Sequence, residues 1–164
     1  MSSTNITPST DTTRAADRVD VRGPRFAAWV TTGVLVLTLV VSALSPVWGP
    51  AAAAVILGLQ AVIFAVGALA GPRRHPYGRI FATLVAPRLG PVTEREPVAP
   101  LKFAQLVGFA FAVVGTLGFA LGAPLVGVIA TGGALVAAFL NAAFGICLGC
   151  QIYPLVARFR RTPA

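Results

Sequence analysis

Phe26-Ala-Ala-Trp-Val-Thr-Thr-Gly-Val-Leu-Val-Leu-Thr-Leu-Val-Val-Ser-Ala-Leu44 runs for 19 residues without a charged side chain. At about 1.5 Å of rise per residue, a helix of that length just crosses a hydrocarbon core of about 30 Å. The flanks agree with that reading. Asp20-Val-Arg22-Gly23-Pro24-Arg25 forms a charged hinge before it, and Ser45-Pro46-Val-Trp-Gly49-Pro50 breaks it, since proline lacks the amide donor a helix needs. Trp29 and Trp48 stand near its two ends, where aromatic side chains settle at membrane interfaces.

The same pattern repeats. Residues 51–70 form a second apolar run with Gln60 as its one strongly polar side chain, and Gly67 and Gly71 give it one small-xxx-small spacing. Residues 103–122 form a third, with Gln105 one turn inside its start. Gly108, Gly115 and Gly122 recur there every seven residues, which marks a face that packs closely on a neighbour. Only Gly122-Ala123-Pro124 precedes the fourth run, read as 125–150, so crossings three and four form an antiparallel hairpin. The fold expected is all-α and polytopic, with four transmembrane helices and a short interfacial helix.

Composition supports this class. Of the 164 residues 56% are hydrophobic and 11% charged, less than half the charge of a typical soluble domain. A chain this short has too small a core to hide so much apolar surface, so most of it faces lipid. The net charge of +8 does not argue for nucleic acid, because the basic residues form no helix face and carry no interleaved aromatic platform. Arg14, Arg18, Arg22 and Arg25 precede crossing one, six basic residues lie between crossings two and three, and three follow crossing four. The turns 45–50 and 122–124 have none. By the positive-inside rule both termini and the 72–100 segment are expected in the cytoplasm.

Residues 1–20, rich in Ser, Thr, Asn, Asp and Pro, read as a disordered cytoplasmic tail and lack the early apolar core of a signal peptide. Residues 21–158 make the membrane domain, and 159–164 a basic tail. Within the central loop, Tyr77, Ile80, Phe81, Leu84 and Val85 follow helical spacing, which predicts an amphipathic helix over about 76–86 in the headgroup plane. His75 has no second ligand at metal spacing and reads as a solvated interfacial residue.

The two cysteines of the chain, Cys147 and Cys150, fall at the expected cytoplasmic end of helix four, one turn apart on one face. A thiol pair so spaced suits a redox dithiol, or two of the four ligands of a zinc site shared between two chains. A helix C-terminus disfavours thiolate, and the cytosol disfavours a permanent disulfide. Small apolar fillers of a helix interface are the bland alternative. Pro154 is expected to end or kink the helix.

The sequence resembles the bacterial membrane proteins of the domain of unknown function 4395 family. The resemblance rests on Asp20-x-Arg22-Gly23-x-Arg25, Pro87-Arg88-Leu89-Gly90-Pro91, Phe103-Ala104-Gln105 and Cys147-Leu148-Gly149-Cys150-x-x-Tyr153, in that order over residues 18–155. It implies a four-helix protein of the bacterial plasma membrane and no established catalytic residue or cofactor. It further implies a neighbourhood of thioredoxin-like and sulfur-transfer proteins, which raises thiol chemistry. Asp20, Arg22, Arg25, Gln105 and the cysteines are its positions to test, joined by Asn141, the one amide side chain of crossing four. The leading expectation is a thiol-redox or sulfur-linked membrane protein acting through Cys147 and Cys150, with a thioredoxin-like or sulfur-transfer partner and no cofactor, rather than a stand-alone enzyme. The alternatives are a scaffold that anchors a soluble partner, the shared thiolate metal site, and a homo-oligomer as host of either.

Overall fold

The computed structural model describes residues 18–160. The expectations for the tail before Arg18 and for residues 161–164 therefore lie outside the described residues. Four helices are long and apolar enough to cross a membrane: α1 (Arg22–Leu44), α2 (Gly49–Ala70), α4 (Val98–Ala120) and α5 (Pro124–Phe144). Between α2 and α4 lie a short helix α3 (Pro76–Ile80) and a two-stranded ribbon in which β1 (Arg18–Asp20) pairs antiparallel with β2 (Arg95–Pro97). A final helix, α6 (Leu148–Arg160), follows the fourth crossing.

Three of the four long helices begin several residues before the uncharged runs do, and the physical reason is the same. Pro24, Pro50 and Pro100 sit in first turns, where the missing amide costs nothing and the fixed φ suits the helix. The charged hinge before crossing one is thus helical, and Arg22 and Arg25 sit on α1 itself.

Packing is cyclic: α1 touches α2 and α5, and α4 touches α2 and α5. The core where these faces meet is built from Leu35, Ala53, Leu57, Phe64, Ala112, Phe119 and Ala134, while Leu59, Leu69, Leu117 and Ile129 on the outer faces stay exposed. An inside-out surface of this kind is what a lipid solvent calls for. The glycine row of α4 works as its period suggests at two positions of three. Gly108 lies against Phe64 and Gly115 against Leu57 and Thr131, whereas Gly122 belongs to the turn into α5.

The central segment is helical where amphipathicity predicts it, α3 continuing through a π-helical turn (Phe81–Val85) and a 3-10 turn (Ala86–Arg88). Its apolar stripe divides. Phe81 is buried against Phe26 and Gly23, while Ile80 and Leu84 point outward. The ribbon corrects the expected tail for residues 18–20. Val19 pairs with Glu96, and the Val21 amide donates to the Glu94 carbonyl, so the approach to α1 is held by backbone hydrogen bonds.

Candidate functional site

The largest departure from expectation is where the fourth crossing ends. α5 stops at Phe144, and Gly145 adopts the left-handed region at φ 69°, a conformation that glycine reaches without a Cβ penalty. The Gly145 amide donates to the Asn141 carbonyl, as in an αL stop, and the Ile146 amide donates to the Leu140 carbonyl. The run 125–150 is therefore two helices, and the cysteines do not close the fourth crossing. They open α6.

That reversal changes the chemistry. Cys147 is the N-cap of α6: its carbonyl accepts the Gln151 amide at 3.1 Å, and its sulfur accepts the Cys150 amide at 3.3 Å. A helix N-terminus presents partial positive charge and unpaired N–H donors, so the end that was expected to oppose a thiolate supports one instead. The two cysteines are bonded to each other as a disulfide, with their Cα atoms 5.2 Å apart. Their one-turn spacing at a helix start sets the Cα atoms within the distance a disulfide spans.

The motif is docked by its middle residue. A Cβ at Gly149 would lie 2.7 Å from both Cα and Cβ of Ala104, so the first turn of α6 rides directly on the backbone of α4. One turn further on, the Tyr153 ring meets Phe103 at 5.9 Å between centroids. Pro154 neither ends nor breaks this helix. It lies inside α6, where its missing amide removes the bond that the Cys150 carbonyl would otherwise accept. Phe159 and Arg160, expected in a basic tail, complete α6.

Behind the disulfide the bundle is hollow. A cavity of about 310 Å³ is lined by residues of all four crossings and of α6, including Cys147, Leu148 and Gly149 at one end with Gln105 and Asn141 nearby. Apart from Thr31 the rest of its wall is apolar, with Ala28, Gly108, Ala134 and Ala138 leaving the space that Phe64 and Phe111 bound. Three of the expected site residues, Cys147, Gln105 and Asn141, thus share one space.

Of the other four, Cys150 is bonded to Cys147 from outside the cavity wall, and Asp20, Arg22 and Arg25 hold the surrounding elements in place. Arg22 grips Asp20 through Nε, 3.0 Å from each carboxylate oxygen, and through a guanidinium nitrogen at 2.8 Å from Oδ2, while its second guanidinium nitrogen donates to the Gly90 carbonyl at 3.2 Å. The Arg22 side chain holds the Asp20 carboxyl below its ordinary range, more than burial raises it. This fork ties the ribbon, α1 and the Gly90 loop together. Arg25 instead reaches the end of α5, donating to the Ala143 carbonyl at 3.5 Å with its guanidinium beside Gly145. A cation at a helix C-terminus is favourable, and here it braces the link that leads to Cys147.

His75 is not solvated. It is 3% exposed, enclosed by Gly67 and Gln105, with its ring edge-on to Tyr77 and only the Gln105 amide close enough to act on it, without a well-formed hydrogen bond. Tyr77 itself donates to Gln60 Oε1 at 2.8 Å, which accounts for the polar side chain of α2. His75 lines a second cavity of about 360 Å³ that shares Pro24, Ala27, Leu101 and Gln105 with the first. Burial lowers its pKa to about 4, the Gln105 amide offsetting only part of that effect. The neutral form is therefore native, and the unfolded chain takes up a proton near 6.5. Stability from this group is complete above pH 6.5 and is lost as pH falls towards 4, on the order of 2–3 kcal/mol. Thermal unfolding of the detergent-solubilised protein is expected to weaken over that window, with the weakening reduced in His75→Asn. A wild-type melting point that does not move between pH 7 and pH 4.5 would contradict the burial of a neutral imidazole.

Among the described residues, no group of three His, Cys, Asp or Glu side chains stands close enough to hold a metal ion.

A family model, domain of unknown function (DUF4395), matches residues 19–158. The chain belongs to this family. No curated protein and no solved structure matches it. Within the DUF4395 match, segments far apart in sequence meet at one end of the bundle: Arg22 on Gly90, Gly23 on Phe81, Phe103 on Tyr153, Ala104 on Gly149, and Arg25 beside the link to Cys147. Gly149, part of the small-residue face beside the thiols, is the contact that seats α6, and His75, expected to be solvated, is buried. A signal for the first existed, since Gly149, Cys150, Tyr153, Val156 and Ala157 follow helical spacing along the inner face of α6.

Proposed function

We propose that this DUF4395 protein is a membrane thiol-redox protein whose Cys147–Cys150 pair cycles between dithiol and disulfide on the basic, cytoplasmic side of the bilayer. One observation carries the reading: Cys147 caps the N-terminus of α6 and its sulfur accepts the Cys150 amide. A capping sulfur of this kind is a stabilised thiolate when reduced, and the thiolate is the species that attacks a disulfide. Cys150, bonded to it here, is the resolving thiol.

Charge supports the cytoplasmic side. Arg22, Arg73, Arg74, Arg79, Arg88, Arg95, Lys102 and Arg158 all belong to the same end of the bundle as the cysteines, and the turns at the other end carry no charge. Positive charge is retained on the cytoplasmic face, which supports both termini lying there. A soluble thioredoxin-like or sulfur-transfer protein is the partner that this location and the family resemblance favour, meeting the pair through a mixed disulfide. A scaffold role needs no capping sulfur, and a shared metal site needs both thiols free of one another.

Sidedness and redox activity are read together by a membrane-impermeant maleimide. In inverted vesicles both thiols are expected to label after reduction and neither after mild oxidation. In intact cells neither is expected to label in either state. Labelling from the outside of intact cells would overturn the orientation, and labelling that ignores oxidation would overturn the redox reading. Metal retained by the reduced protein and lost in Cys150→Ser would favour the thiolate metal site in its place.

A further inference from the structure

We infer that the cavity behind Cys147 is the binding site of a lipid-soluble quinone, which takes the electrons of the reduced cysteine pair. The inference rests on the dithiol reading above and names the acceptor that this reading needs.

Three features of the cavity select the class of molecule. Its wall contains no Lys, Arg, Asp or Glu, so nothing there would balance the charge of a nicotinamide nucleotide or of glutathione. Every crossing contributes to it and the start of α6 closes one end, so the space opens among the four long apolar helices beside the cysteine pair. Its volume of about 310 Å³ is at the small end of ligand pockets, enough for a substituted ring and the start of an apolar tail. A neutral, ring-shaped, two-electron carrier dissolved in the membrane meets all three conditions.

The polar groups are placed for a ring bearing two carbonyls. Gln105 lines the cavity with a buried Oε1 that lies near the His75 ring but completes no well-formed hydrogen bond, and Asn141 lines the same cavity from α5. An amide nitrogen donates to a quinone carbonyl, and an amide oxygen accepts from the hydroxyl of the quinol, so either residue serves both redox states. A buried amide oxygen without a complete hydrogen bond retains acceptor capacity that a quinol hydroxyl would use. Cys147, not Cys150, is the cysteine on the wall.

The reaction balances without a further reagent. The two S–H bonds of Cys147 and Cys150 break and one S–S bond forms. Two electrons and two protons pass to the two ring oxygens, and the quinone becomes the hydroquinone. A soluble dithiol partner on the cytoplasmic face then returns the pair to the reduced state.

The test uses the full chain in lipid nanodiscs, reduced, desalted and kept without oxygen. The probe is a decyl-tailed benzoquinone whose ring is fully substituted, so that thiols cannot add to it. The expected result is one quinone reduced per chain, with both thiols lost in step. Gln105→Ala and Asn141→Ala are each expected to slow this at least about tenfold, the effect of one lost hydrogen bond to the reacting group, while oxidation of the same variants by diamide stays at the wild-type rate. Thiols that diamide oxidises but the quinone leaves untouched would overturn the acceptor and leave the dithiol reading standing. Quinone reduction at the wild-type rate in both amide variants would overturn the cavity as its site. Refusal of diamide as well would overturn the dithiol reading itself.

Discussion

Gly149→Val is expected to detach the first turn of α6 and to take the reactivity of both cysteines with it. The added Cβ meets Ala104 Cα at 2.7 Å, a distance that atoms of this kind do not tolerate, and the obstacle is backbone and not the tip of a flexible side chain. Overpacking of this sort typically costs about 1–3 kcal/mol, and more where nothing can move aside. The other contacts, Arg25 and two backbone hydrogen bonds at the link and Tyr153 on Phe103 one turn on, do not hold the first turn itself, so that turn lifts from α4 before the four crossings unfold. Limited proteolysis then cuts near the link in the variant and not in the wild type, while the melting of the four-helix core changes little. Ala104→Gly does not restore the contact, since Cα itself is in the way. A Gly149→Val protein that resists protease as the wild type does would show that α6 is not seated on α4.

The second large effect is an asymmetry between the thiols. In Cys150→Ser the remaining Cys147 keeps its place at the helix N-terminus, with the amide of residue 150 still aimed at its sulfur. In Cys147→Ser the remaining Cys150 lies in the first turn, without the capping position. Alkylation by iodoacetamide at pH 7 is expected to be faster for Cys147 by about tenfold or more, since helix-terminal and hydrogen-bonded thiols carry far more thiolate at that pH. The same Cys150→Ser variant should form a mixed disulfide with a soluble partner offered in its disulfide form, the Cys147 thiolate attacking and one partner thiol leaving, whereas Cys147→Ser should not. Equal alkylation rates would remove the assignment of Cys147 as the attacking thiol.

How the sequence encodes this site is uneven, and the reasons are physical. The four crossings are legible because a bilayer demands long uncharged runs, and nothing else in a chain of this length produces them. The end of the fourth crossing is not legible by the same measure. Gly145-Ile146-Cys147 is as apolar as the helix before it, so hydropathy runs through the break without registering it. What stops the helix is one left-handed glycine, and a glycine in a membrane helix ordinarily signifies close packing. The misplacement of that boundary by one short link inverted the dipole at the cysteines. The assignment of Cys147, Gln105 and Asn141 as site residues came from their chemistry and from the family resemblance. Their convergence on one cavity came from the cyclic order of the helices, which no local pattern specifies. His75 illustrates the opposite failure. Between Arg74 and Pro76 it reads as solvated, yet the turn after Gly71 folds it back under α2 against Gln105.

The central claim is that the pair at the start of α6 is a reversible two-electron couple. It is tested most directly by equilibrating the purified full-length protein in glutathione or dithiothreitol buffers of graded potential and counting free thiols by maleimide mass shift. The account predicts one transition, both thiols appearing together, with a midpoint between about −270 and −120 mV, the range of catalytic dithiols. A pair that stays fully reduced or fully oxidised across that whole range, or thiols that titrate one at a time, would contradict it.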